Sequence, residues 1–213
     1  MIDTIIFDAE GVVIDTESIW DLGQRIFLHR RGIEYEREKI KHLLTGRSLS
    51  EGASVMQRAY GFPGDPADLG RERLEIVKDL LLREVKFIEG FEDFFHGVRS
   101  TYKTCIATAM DLELFRLVDR RLGLSELFHG EIFTLADVGH QSKPNPDLFL
   151  YAASRLHSSP EKCVVIEDSP YGIEAARRAG MKCIGLATTY DPEKLAGADL
   201  IVARYSEIDL ASF

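Results

Sequence analysis

Six short runs of apolar and β-branched residues, at positions 4–7, 104–108, 131–135, 163–166, 183–187 and 200–203, are brief and mostly lack polar alternation. That pattern predicts strands covered on both faces, as in a parallel sheet. Between the later runs the apolar positions take helical spacing. Phe115, Val118 and Leu122 share one helix face, with Asp111 placed to cap the start and Gly123 just past the end. Phe149, Ala152 and Leu156 form a second stripe, opened by Asn145 and Pro146; Ile173, Ala176 and Ala179 form a third, opened by Ser169 and stopped by Gly180. Strands alternating with such helices predict βαβ units in an α/β fold, a doubly wound parallel sheet.

Positions 17–85 break this alternation, reading as helices over 17–31, 37–44, 50–60 and 66–85 with a Gly- and Pro-rich turn at 61–66. The segment separates the first run from all the others. It therefore predicts an inserted α-helical cap domain, residues 16–86, on a core made of residues 1–15 and 87–213. Such a cap is expected over the carboxyl ends of the strands, where open α/β sheets bind ligands.

Composition narrows the class. With 213 residues, 45% of them hydrophobic, the chain can bury a full core. Its 26 basic residues face 35 acidic ones, and the formal net charge of -9 disfavours nucleic acid and anionic membranes as partners. An anionic substrate would then need a local positive site. Cys105, Cys163 and Cys183 are an odd number, far apart, each in or beside an apolar run, which points to free thiols in a reducing cytoplasm. The first run is cut short by Asp8 and Glu10, so it reads as neither signal peptide nor membrane span, and no later run is long enough to cross a bilayer. A cytoplasmic monomer is the expectation.

Two apolar runs end in acids. Phe7-Asp8-Ala9-Glu10-Gly11 closes the first, and Ile166-Glu167-Asp168-Ser169 closes the fourth. Alone, an acid at a strand end serves equally well as a helix cap or a solvated turn residue. Two pairs at neighbouring strand ends would repel strongly unless a hard cation such as Mg2+ neutralised them. Ser142-Lys143-Pro144-Asn145-Pro146 sets one lysine between a proline and a helix start, fixing an ammonium of a kind that is usually just solvated. Ile106-Ala107-Thr108-Ala109 ends the second run with a hydroxyl and backbone N–H groups suited to phosphoryl oxygens, although Thr108 by itself reads as a strand residue.

In chain order and spacing these four motifs resemble the haloacid dehalogenase superfamily, in the helical-cap branch that includes β-phosphoglucomutase-like enzymes and sugar-phosphate phosphatases. The resemblance covers nearly the whole chain, including Thr45-Gly46-Arg47-Ser48 in the cap and Ser169-Pro170-Tyr171-Gly172-Ile173-Glu174-Ala175-Ala176. It implies a Rossmann-like core, Mg2+ as cofactor and a small phosphorylated metabolite as substrate. Asp8 would attack phosphorus to give an aspartyl-phosphate, splitting one displacement into two. The ion would be held by Asp8, the backbone carbonyl of Glu10 and Asp168, with Glu167 binding directly or through water. Thr108 and the amide of Ala109 would grip phosphoryl oxygens, and Lys143 would offset charge on Asp8 and the phosphoryl group. Arg47 and Trp20 are the substrate-binding candidates of the cap, followed by His29 and Lys41. A solvated turn explains Arg47 equally well, and Trp20 also suits the cap core.

One position departs from the resemblance. The family's phosphatases and mutases carry aspartate two residues after the nucleophile as general acid and base, and this chain carries Glu10. The carboxyl keeps its proton chemistry but lies about 1.5 Å further out on an unchanged backbone. Where hydrogen-bond reach matters, that shift costs about a hundredfold in rate. A re-aimed glutamate doing the usual work is preferred to a slow enzyme that accumulates phospho-Asp8, or to a chain that has left phosphatase chemistry. At 87–91 the proline that usually precedes the hinge glycine is missing, while Gly90 keeps its freedom to rotate. The predicted activity is Mg2+-dependent hydrolysis of a small phosphomonoester. The alternatives are a β-phosphoglucomutase-like phosphomutase, or a catalytically weak phosphate-binding protein, for which Glu10 is the argument.

Overall fold

Among the described residues six strands, β1 (Thr4–Phe7), β2 (Lys103–Thr108), β3 (Ile132–Thr134), β4 (Cys163–Glu167), β5 (Lys182–Leu186) and β6 (Leu200–Val202), pair in parallel in the order β3-β2-β1-β4-β5-β6. The coordinates are a computed structural model that describes residues 1–44 and 49–212, without the side chains of His42 and Ser212. The chain divides into two compact units, Met1–Asp15 with Lys86–Phe213, and Thr16–Val85.

Every residue of β1 is buried, as its place between β2 and β4 requires. Successive side chains of a strand point to opposite faces. Ile6 therefore joins Cys105, Ala107, Cys163, Val165 and Cys183 on one face, packed with Leu148, Phe149 and Ala152 of α8 (Asp147–Arg155) and Ile173 and Ala176 of α9 (Pro170–Arg178). All three cysteines are free and buried there. Phe7 turns to the other face, into an aromatic cluster with Phe91 at a centroid separation of 5.8 Å and Phe128 at 5.8 Å.

Much of that cluster comes from α5 (Phe91–Val98), a helix the patterning above does not anticipate. Phe91, Phe94, Phe95 and Val98 do have i, i+3, i+4, i+7 spacing, but the helix is only eight residues long and starts at the glycine read as a hinge. Gly90 is its N-cap, at φ 82°, a left-handed conformation that glycine takes without the usual penalty. The remaining core helices are α6 (Leu112–Leu122) and α7 (Leu124–Leu127). Asp111 caps α6 by accepting from the N–H groups of Glu113 (2.8 Å) and Leu114 (3.3 Å), and Gly123 ends it at φ 69°. Leu156 falls just past the end of α8 yet still packs on the core. The third strand is shorter than its apolar run, because Leu135 already opens a 3-10 turn held by Asp137 against Thr134.

The second unit consists of α1 (Thr16–His29), α2 (Arg37–Leu44), α3 (Leu49–Tyr60) and α4 (Pro66–Arg83). Asp65 caps α4 by accepting from the N–H of Ala67 at 2.9 Å. Buried Arg73 of α4 donates to the Leu49 carbonyl (2.6 Å) and to Gln24 Oε1 (3.2 Å), tying three helices together. Burial pulls its pKa down to about 10. Among the described residues no helix is long and apolar enough to cross a membrane.

Phe91 contacts the rings of Phe7, Phe87, Phe95, Phe128 and Tyr205. Phe91→Ala is therefore expected to remove about 3–5 kcal/mol of unfolding free energy, read as a lowered urea midpoint at unchanged m-value.

Candidate active site

The register of β1 and β4 pairs Phe7 with Ile166, so Asp8 and Glu167 stand side by side at the carboxyl ends of the two strands, and the Asp8 N–H still donates to the Ile166 carbonyl at 3.0 Å. This is where the strand order reverses, the place at which doubly wound sheets bind ligands. Asp8, Glu167 and Asp168 each offer a carboxylate oxygen, all within 4.8 Å of one another, and all three residues are buried. Lys143, in the turn before α8, bridges them: its Nζ donates to Asp8 Oδ1 and, at 2.7 Å, to Glu167 Oε1.

The charges do not balance. Three ionised carboxylates against one ammonium leave two excess negative charges in a place with little water. Burial is the largest cause pushing Asp8 up to about 7; Lys143 pulls it down, and Glu167 and Glu10 push it further up. Asp168 is held well above the ordinary carboxylate range by burial first, then by Glu167 and Asp8, while the neighbouring Thr189 hydroxyl acts the other way. Burial works against the Lys143 ammonium as well, but Asp8 and Glu167 together more than offset it, so its pKa lies above the usual lysine value. A buried cluster of carboxylate oxygens with excess negative charge fits a small hard divalent cation.

Glu167 is the most firmly held of the three. Its Oε2 accepts from the Ser169 N–H (2.7 Å) and hydroxyl (2.9 Å), and that hydroxyl caps α9 by accepting from the Gly172 N–H at 3.1 Å. Ser169 thus caps the helix and also orients the site. Gly172 is glycine for lack of room, since a Cβ there would lie 1.7 Å from Glu167 Oε1. At Gly11, φ 73°, a Cβ would lie 2.0 Å from Asp168 Oδ2.

Thr108, at the end of β2, is buried, and its Oγ1 accepts from the Met110 N–H at 3.0 Å, which leaves the hydroxyl hydrogen to donate elsewhere. Ala109, next along, is exposed. Glu10 is half-buried and close enough to Asp8 to raise its pKa, but its side chain is not one of the three clustered carboxylates. In the other unit, Trp20 lies half-buried on α1, Lys41 is paired with Glu17 at 2.5 Å, and His29 is exposed at the end of α1. Arg47, with its Thr-Gly-Arg-Ser turn, lies outside the described residues.

Sequence reasoning missed the groups that steady the loop after β1. The Tyr205 hydroxyl donates to the Val12 carbonyl at 2.9 Å, and the Thr188 hydroxyl donates to the Gly11 carbonyl. The Thr188-Thr189 pair follows an apolar run at the same sheet edge as the acids, which was the available signal.

The sequence profile of the haloacid dehalogenase-like hydrolases matches residues 2–180, and the chain belongs to that family of enzymes. It is 31% identical over 182 residues to the fructose-1-phosphate phosphatase YqaB of Escherichia coli, covering 84% of this chain and 94% of that one. Among solved structures, it resembles a haloacid dehalogenase family hydrolase of Deinococcus radiodurans with bound phosphate and sodium, at TM-score 0.85 and 28% identity over 99% of this chain and 95% of that one. It also resembles β-phosphoglucomutase of Clostridium difficile, at TM-score 0.70 and 26% identity over 100% and 95%.

Two outcomes follow from this packing. In a helix, glycine to alanine normally gains about 1 kcal/mol, but at Gly172 the collision with Glu167 reverses the sign, and Gly172→Ala should lose about 1–3 kcal/mol in denaturant unfolding. Asp8 titrates at 3.8 in the unfolded chain and at about 7 when folded, so between these values only the folded state keeps the proton. Its contribution to stability is fully present below pH 3.8 and is lost as pH rises to about 7. The melting temperature of the metal-free protein relative to Asp8→Asn, a difference that cancels most other titrations, should fall across that window.

Proposed function

We propose that the chain is a phosphatase of small phosphorylated metabolites, of the sugar-phosphate kind, that works through an aspartyl-phosphate on Asp8. The observation that carries this reading is the seat of Asp8: a buried carboxylate against an ammonium, beside Glu167 and Asp168, at the reversal of strand order. Membership of the hydrolase family and the similarity to a fructose-1-phosphate phosphatase support it.

In this reading an Asp8 oxygen attacks phosphorus and the ester P–O bond breaks, with Glu10 protonating the departing alkoxide. Glu10 then takes a proton from water, the resulting hydroxide attacks the same phosphorus, and the acyl-phosphate P–O bond breaks to return Asp8 and inorganic phosphate. Lys143 offsets charge on Asp8 and on the incoming phosphoryl group, and the Thr108 hydroxyl with the Ala109 amide holds phosphoryl oxygens. Asp8, Asp168 and the carbonyl of Glu10 would hold Mg2+, with Glu167 directly or through water; when bound, the ion supplies neutralisation of the crowded carboxylates and of the phosphoryl oxygens. The likeness to a β-phosphoglucomutase favours a second reading, in which a sugar hydroxyl replaces water as acceptor.

A panel of sugar phosphates assayed for phosphate release and for isomerisation, with Mg2+ or with chelator, tests this. Release that requires Mg2+, vanishes in Asp8→Asn and falls roughly 100- to 10,000-fold in Glu10→Gln is the expected result. Glu10→Asp should also lower the rate, because the site is read as fitted to glutamate. Isomerisation with negligible release would replace the phosphatase with the mutase.

A further inference from the structure

We propose that Thr188 and Thr189, in the turn after β5, are positioning residues that tie the Gly11 peptide of the Glu10 loop and the Asp168 carboxylate to one support. The inference rests on the metal-dependent reading above and extends it to residues outside the ion and phosphoryl ligands named there.

The geometry is compact. The Thr188 hydroxyl donates to the Gly11 carbonyl, and the Thr189 hydroxyl stands beside the Asp168 carboxylate and favours its charged form. A Cβ on Gly11 would lie 2.0 Å from Asp168 Oδ2 and 2.6 Å from Thr189 Oγ1, so both oxygens press against the same side of the loop. The turn itself is pinned. The Thr188 N–H donates to the Leu186 carbonyl and the Ala187 N–H to the Val202 carbonyl, each at 2.9 Å, which anchors it to the ends of β5 and β6.

Two consequences follow. A carboxylate with one oxygen set against a fixed hydroxyl has fewer ways to turn, so its other oxygen keeps its aim at Asp8 and Glu167. The Gly11 peptide adjoins Glu10, so fixing its carbonyl fixes the backbone from which the longer glutamate side chain projects. Asp168 and Glu10 come from different strands, and this turn is where their positions are set together. A loop present only for stability would affect melting and leave ion affinity and kcat alone.

The test uses the full chain with Thr189→Val, Thr189→Ser, Thr188→Val and Thr188→Ser. Calorimetric titration with Mg2+ should show binding weakened about tenfold or more in Thr189→Val and restored in Thr189→Ser, because the serine keeps the donor. Thr188→Val should lower kcat for phosphate release with little change in KM, and Thr188→Ser should recover it. Melting of the metal-free variants should stay near that of the wild type. Wild-type affinity in Thr189→Val, or serine variants no better than valine ones, would overturn the inference while leaving the reading of the site intact. Failure of the wild type itself to bind Mg2+ would remove both.

Discussion

Three carboxylates and one ammonium share a small buried volume at the ends of β1 and β4, and the rest of the active site is arranged around that imbalance. Coulomb repulsion between like charges grows as water is withdrawn, so Asp8, Glu167 and Asp168 stay together only through close compensation. Lys143 supplies part of it, bridging Asp8 and Glu167. Ser169 supplies more, with two donors on one oxygen of Glu167. What is left over is a deficit of positive charge of the kind a divalent ion would satisfy.

The sheet makes such crowding possible by register and by missing atoms. Pairing Phe7 with Ile166 brings two acids out level, and glycine at 11 and 172 lets backbone approach where any side chain would collide. Hydroxyls from Thr188 and Tyr205 take the carbonyls of Gly11 and Val12 in turn, so the loop carrying Glu10 is held at successive peptides. Tyr205 suits that task, because burial first, and then Asp8 and Asp168, keep its hydroxyl protonated as a donor. A loop fixed in this way gives a glutamate a defined reach, which bears on how the chain accommodates Glu10.

The strands were legible because each is a short apolar run, buried throughout in β1 and β4, and the acids that close those two stand out against such runs. Helices with a full amphipathic stripe, such as α6 and α9, were legible with their caps. The eight-residue α5 was not: two turns give little periodicity, and its aromatic residues adjoin a segment that reads as a hinge. The neighbours of the acids were harder still. Glu167 reads in sequence as an ion ligand; the fold also engages its oxygens with Ser169, two residues on, and with Lys143, in a turn 24 residues upstream. The link between Thr188 and Gly11 spans 177 residues, and no local pattern announces it.

Short of positive charge, the acidic trio keeps protons in place of a cation. The decisive experiment counts the protons released when Mg2+ is added to weakly buffered, metal-free protein at pH 7. One ion bound per chain with release of protons is expected, since burial pushes Asp8 up to about 7 and Asp168 well above its usual range. Binding without proton release, or no binding, would contradict it.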